Sequence, residues 1–329
     1  MTGTGSMSVP IAVSPGRSGF APQLALSYDS GAGNSAFGLG WDVGLPSISR
    51  KTQKGLPQYD GLPKYQDAAD ADSDVFLLSG AEDLVPVLKN GVWDSKTVGD
   101  FKVYPYRPRI EGLFAKIEKW VDTTNGKTHW RATTKDNLTS IYGLDEKSQI
   151  ADPADSKKVF SWLLERTFDN KGNVLVYEYK PEDLVNVERT IYEKNRNIAN
   201  ATAQKHLERV KYGNTAMYFS PMNGPVTAIP VAYEWLFELV FDYGEHDTIN
   251  NIPQYAEAKT WAARLDPFSS YRAGFEIRDY RLCQRILMFH HFPLDLNVRR
   301  ECLVKATILE YDPNKIATQV ISITHTGYR

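Results

Sequence analysis

The stretch Gln23-Leu24-Ala25-Leu26-Ser27-Tyr28-Asp29, followed closely by Gly31-Ala32-Gly33-Asn34-Ser35-Ala36-Phe37-Gly38-Leu39-Gly40-Trp41, decides between two folds. Leu24, Leu26 and Tyr28 alternate with Gln23, Ala25, Ser27 and Asp29, the period of two of a half-buried strand. The glycines after it match the G-x-G-x-x-[GA] form of a dinucleotide loop. Such a loop serves a pyrophosphate only if it opens a helix whose N-terminal amides face the ligand. Here Gly38, Gly40, Gly44 and Pro46 come next and forbid that helix. The segment reads instead as backbone that packs closely around Phe37, Leu39 and Trp41.

The same alternation recurs outward along the chain. Leu236–Tyr243 sets Phe237, Leu239, Phe241 and Tyr243 against Glu238 and Asp242, and Asn173–Lys180 sets Leu175, Tyr177 and Tyr179 against Glu178 and Lys180. Both predict antiparallel strands with one wetter face. Phe275–Phe292 changes parity between Ile277 and Leu282, which predicts a bulge or a bend between two sheets. Lys171-Gly172-Asn173 and Asn125-Gly126 read as hairpin turns. Helical spacing is confined to Pro181–Arg189, Ala201–Val210 and Gln254–Leu265. With 18 Tyr, 14 Phe and 7 Trp, residues that suit pleated surfaces, the class is mainly β with a few short accessory helices. The divisions expected are a glycine-rich segment, 1–53, an exposed Asp/Pro/Gly connection, 54–74, and a β-rich body, 75–329. A strand-like Ile316–Thr326 just before the last residue suggests a piece of a longer polypeptide.

Chemistry is hard to place. A net charge of −2 with interspersed signs gives no footprint for nucleic acid or an anionic membrane. No run approaches the ~18 apolar residues of a membrane span, and the first residues lack the basic and apolar regions of a signal peptide. Cys283 and Cys302 read as free thiols. Asp70, Asp72 and Asp74 resemble the start of a calcium loop, but Val75 and Ala81 stand where glycine and a carboxylate are needed. Adjacent His290 and His291 point to opposite faces of a strand and cannot share a metal. The expectation is therefore no catalytic, cofactor-binding or metal-binding residue. Trp and Tyr could line a sugar-binding surface, though on strands they are more often cross-strand partners.

Three stretches carry a family resemblance. They are Val13-Ser14-Pro15-Gly16-Arg17-Ser18-Gly19-Phe20 running on to Gly38-Leu39-Gly40-Trp41 and Ile48-Ser49-Arg50; Thr134–Gly143 with its flanks Trp130-Arg131 and Asp169–Asn173; and Arg264–Arg278, with Phe268, Tyr271, Arg272, Gly274 and Phe275, continuing to Met288-Phe289-His290. Together they resemble the SpvB-type domain found at the start of Tc insecticidal toxin B components, which are related to Rhs/YD-repeat proteins. The resemblance implies a large curved antiparallel sheet forming part of a hollow shell. It implies two partners: a C component, whose toxic region the shell encloses, and a pore-forming A component, docked through a propeller lying beyond this chain. Ser14, Pro15, Gly16, Arg17, Gly38, Gly40, Trp41, Phe268, Tyr271, Arg272, Gly274 and Phe275 are its structural signature. Tyr311-Asp312-Pro313-Asn314 is similar to a degenerate YD repeat. The ADP-ribosyltransferase of the virulence-plasmid protein belongs to its other domain, and no E-x-E motif occurs here.

The function expected is thus a non-catalytic module of a toxin shell, made in the cytoplasm and secreted without a signal peptide. Two other classes stand beside it: a β-rich cell-surface or glycan-binding module, which needs a row of exposed aromatics, and an enzyme with an unrecognised carboxylate site, which needs two convergent acids in a pocket.

Overall fold

The computed structural model describes residues 3–59, 74–80, 82–112, 114–292, 300–312 and 316–328. Strands take 49% of the chain and helices 3%. Most of the exposed connection expected before Val75, with Asp70 and Asp72, and Pro313–Lys315 of the YD-like stretch lie outside the described residues.

Alternation becomes pairing first at the N-terminus. β1 (Ser6–Pro10), β2 (Ala25–Asp29) and β3 (Trp41–Val43) form a three-stranded antiparallel sheet in that order. Leu26 lies opposite Val43, and both are buried. The chain then enters the main sheet through β4 (Ser47–Arg50), β5 (Phe76–Leu78), β6 (Glu82–Pro86), β7 (Phe101–Pro108), β8 (Lys116–Asp122), β9 (Thr128–Thr133) and β10 (Thr139–Tyr142). After β11 (Gln149–Asp152) comes the long β12 (Asp155–Phe168). From β4 through β9 each strand pairs antiparallel with the next; β10 pairs with β12, and β12 returns to β4. The result is a closed eight-stranded barrel.

A barrel of that size has an interior that side chains can fill. Phe76, Tyr106, Trp130 and Trp162 do so, with ring centroids 4.8–6.0 Å apart in edge-to-face contacts. Hairpin turns fall where the sequence puts them, with Gly126 and Gly172 at φ of 76° and 85°.

β12 divides its second edge. Ser161–Leu163 pair with β4, whereas Arg166–Phe168 pair with β13 (Val174–Pro181). From β13 an open arm continues through β14 (Lys205–Asn214), β15 (Trp235–Asp242), β16 (Arg285–His290), β17 (Cys302–Asp312) and β18 (Gln319–Gly327). One sheet is therefore both a barrel and an open wing, where the sequence suggested a curved sheet alone.

Two kinds of sequence expectation need correction. The wetter face assigned to β15 is buried: Glu238 and Asp242 are 2% and 0% exposed, compensated by Arg209 and Arg285. The hairpin His246–Ile249/Ile252–Glu257 contributes Tyr255, which packs on Phe289 on that side. The helical spacings also mislead. Leu184 and Asn186 take φ of 61° and 60°, which stops a helix over 181–189, and Lys205–Asn214 is β14. Gln254–Leu265 begins as strand to Glu257 and is irregular beyond it, its buried side chains being Trp261 and Arg264 rather than Ala258 and Leu265. The only α-helix among the described residues is the single turn Ile198–Ala201. The parity change in Phe275–Phe292 is a true bend: Ile277–Asp279 pairs with Phe268–Ser270 in a small separate sheet, and the chain then joins the main sheet as β16.

Candidate functional site

The glycine-rich N-terminal segment lies against the arm, and polar side chains fix it there. Tyr212, on β14, both accepts from the Ser14 backbone N–H (3.1 Å) and donates to its carbonyl (2.7 Å). Ser14 Oγ lies 2.7 Å from His290 Nε2 on β16, and Arg17 donates to the Asn214 carbonyl at 2.6 Å. His291 faces the other way, to Glu238 at 2.9 Å, as adjacent strand residues must. Pro15 and Arg17 are exposed, and Gly16 sits where a Cβ would strike the Phe20 carbonyl oxygen at 2.0 Å.

Further along, the Cys283 N–H donates to the Ala36 carbonyl (2.7 Å) and the Leu39 N–H to the Thr318 carbonyl (2.8 Å). Phe37 meets Phe241 edge to face, and Trp41 is buried beside Tyr28. Leu39 is not part of this packing: flanked by Gly38 and Gly40 at φ of 91° and 80°, it turns outward. At Gly40 a Cβ would sit 2.5 Å from the Tyr28 ring.

One buried ion pair joins the first and third family stretches. Arg264 donates Nε to Asp266 Oδ1 (2.8 Å), Nη2 to Asp266 Oδ2 (3.1 Å) and to Asn34 Oδ1 (2.8 Å), and Nη1 to the Ser35 carbonyl (2.6 Å). Asp266 also accepts from Asn34 Nδ2 (2.8 Å) and from Thr318 N and Oγ1 (2.6 Å each). Burial alone would push the Asp266 carboxyl up, but these donors outweigh it and hold it at about 2. Phe268 lies under the Arg264 guanidinium. The rest of that signature stands apart, on the small hairpin. Tyr271 donates to Glu276 (2.9 Å), which Arg196 also grips, Gly274 turns at φ 83°, Arg272 is exposed, and Phe275 lies by Tyr59. Sequence reading missed Asn34 and Thr318, because a contact between distant segments leaves no trace in periodicity.

A second buried pair, Arg281 with Glu182, ties the 182–185 stretch to the strand approach; Arg281 Nε lies 3.0 and 3.1 Å from the two carboxylate oxygens. Burial again opposes ionisation of Glu182, and His206, 3.4 Å away, together with the bonds from Arg281 brings it to about 2. Carboxylates held so far down are bases too weak for general acid–base work at neutral pH. Asp42 and Asp279 do line one cavity of about 320 Å³. Asp279, however, uses its two oxygens to accept from the Arg281 N–H (3.0 Å) and from Gln204 (3.1 Å). Among the described residues no group of three or more His, Cys, Asp or Glu could hold a metal ion. None of the 7 tryptophans is exposed, so they form no flat row for a sugar. No helix among the described residues is long and apolar enough to cross a membrane.

What the arm does present is an edge. β18 pairs with β17 on one side only, and its outer row of backbone groups has no strand partner among the described residues. Ile321, 67% exposed, stands on it.

Comparison with known proteins agrees with this architecture. The family model described as Salmonella virulence plasmid 65kDa B protein, SpvB, matches residues 1–292. The chain is similar to the mono(ADP-ribosyl)transferases SpvB of Salmonella typhimurium (strain 14028s / SGSC 2262) and Salmonella dublin. Each is 36% identical over 337 residues, which cover 99% of this chain and 54% of the relative. The chain thus spans about half the length of these curated relatives. Among solved structures, it is similar to the N-terminal domain of effector protein SpvB from Salmonella typhimurium strain LT2 (TM-score 0.87, 35% identity, covering 98% of this chain and 99% of that one). It is also similar to the TcdB2-TccC3 complex (TM-score 0.85, 34% identity, 99% of this chain and 15% of that one). The Photorhabdus luminescens Tc holotoxin pore matches with a TM-score of 0.84 at 34% identity, over 98% of this chain and 15% of that one.

Proposed function

This chain belongs to the SpvB family, and from that premise we propose that it is a non-catalytic wall module of a toxin shell, helping to enclose and deliver a toxic effector. The observation that carries the reading is the barrel-and-wing sheet with the one-sided strand β18. A container wall needs a rigid anchor and an edge on which neighbouring strands add, and an uncovered edge invites strand addition. The buried pairs at Arg264 and Arg281 serve rigidity in this reading, and their carboxylates are unsuited to catalysis. The partners are a C component resembling TccC3 and, through other parts of a B component, a pore-forming A component. The curated relatives are named mono(ADP-ribosyl)transferases and this chain spans about half their length, which supports reading it as the carrier part of a secreted virulence protein, with enzymatic activity left to other regions.

The test is replacement. A TcdB2 whose corresponding N-terminal region is exchanged for this chain is co-expressed with TccC3, and limited proteolysis follows the C-terminal region of TccC3. Co-elution with a protease-protected region is expected. A folded chimera that leaves that region fully digested would overturn the reading. The isolated chain is expected to leave NAD unconsumed in an ADP-ribosylation assay.

A further inference from the structure

The barrel holds a feature that a wall does not need. On β8, Lys119 shares its parity with the inward residues Ile117 and Val121, so its side chain enters the barrel. It is 5% exposed, and its ammonium lies 4.6 Å from the Phe76 ring centre and 6.0 Å from that of Trp130. No hydrogen-bond acceptor or carboxylate is within reach of its Nζ among the described residues. The ammonium borders a cavity of about 560 Å³ at the barrel mouth, where the end of β4, the turn between β8 and β9 and the start of β12 meet.

The charges around that cavity are unequally committed. Asp74 is bound to Arg50, Glu146 to Lys127 at 2.7 Å, and Asp122 accepts from Thr124 and Asn125 of its own turn. Lys102 and Lys157 also line the cavity, and their ammonium groups have no carboxylate partner among the described residues. Tyr59 and Gln149 supply polar wall. Burial and the nearby Arg50 charge push the Lys119 ammonium down to about 7, against the pull of Asp74. An apolar side chain of similar length would fill this place without desolvating a charge. A buried ammonium unpaired among the described residues and facing a basic cavity of ligand size is what an anion site requires.

We propose that the barrel mouth binds a small molecule bearing an oxyanion, a phosphate or a carboxylate, which pairs with Lys119 while Lys102 and Lys157 draw it in. Pairing favours the charged amine, so binding at about pH 8 takes up a proton. Titration calorimetry of the chain with inorganic phosphate and with citrate, at fixed ionic strength and in two buffers of different ionisation enthalpy, reads both affinity and proton uptake.

Saturable binding of either anion with proton uptake is expected, phosphate alone assigning a phosphorylated ligand and citrate alone a carboxylate. Lys119→Met is expected to weaken it about tenfold or more, and Lys157→Gln a few-fold. Lys119→Arg keeps the binding but loses the proton uptake, since guanidinium does not titrate in this range; this variant decides the matter should Lys119→Met fail to fold. The proposal is overturned if neither anion saturates the chain, if folded Lys119→Met binds as tightly as the parent, or if Lys119→Arg leaves proton uptake unchanged.

Discussion

At the scale of single residues, Asp266 and Lys119 are opposite cases of a buried charge. Asp266 is surrounded by donors and stays ionised down to about 2, below the ~3.9 of an unfolded aspartate. Its contribution is complete above the unfolded value and is lost as pH falls through the folded one. Asp266→Asn is expected to cost about 3–5 kcal/mol, because Arg264 is left buried and unpaired. Acid titration followed by near-ultraviolet circular dichroism should also lose one component in that variant. Lys119, lowered to about 7 against ~10.4 unfolded, carries a penalty that is full below pH 7 and relieved as pH rises between the two values. Lys119→Met should therefore stabilise the fold more at pH 6 than at pH 10, measured by denaturant midpoint. Gly40→Ala forces φ 80° on a residue with a Cβ against Tyr28 and should cost about 1–3 kcal/mol. The positive φ at Gly38 and Gly40 was legible, because runs of glycine around aromatics have few other physical uses. The partners of Asp266 were not, since Asn34 and Thr318 lie 232 and 52 residues away.

At the scale of elements, period-two alternation located β2, β13 and β15 because each buries a face of large side chains. It failed to see that β15 is covered on both faces: Glu238 and Asp242 look like solvent residues until Arg209, Arg285 and Tyr255 are brought over them by other strands. Helical spacing failed for a related reason. Over 254–265 the burial pattern is imposed by the Trp261 indole reaching Asp183 and Arg264 reaching Ser35, not by one apolar stripe. The edge strand β18 has its own consequence. An exposed Ile321 on an unpaired edge should promote self-association of the isolated chain, and Ile321→Lys should suppress it. Light scattering across a concentration series checks this; a parent that stays monomeric throughout would count against the edge as a docking strand.

At the scale of the molecule, closure of the barrel was invisible in the sequence. It depends on β10 and β4 both meeting β12, pairings whose partners are far apart in the chain and whose register no local pattern encodes. The expectation of a curved antiparallel sheet followed from strand content and resemblance, and could not say where the sheet would close. Closure predicts a gradient of protection. Amides of β7, β8 and β9, paired on both sides within a ring, should exchange with deuterium far more slowly than those of β18. Equal protection in both places would contradict it.

The shared strand β12 also sets the mechanics. If a pull were applied at β18, tension travelling across the wing strand by strand would reach the ring through the sheet at Arg166–Phe168, where three residue pairs join β12 to β13, in parallel with the N-terminal segment that bonds Tyr212, Asn214 and Thr318 and leads into β4. That short seam is the narrowest ladder on the route. Under load the wing should peel away there while the ring keeps its shape, giving a force–extension trace with an early low-force step followed by a late high-force rupture.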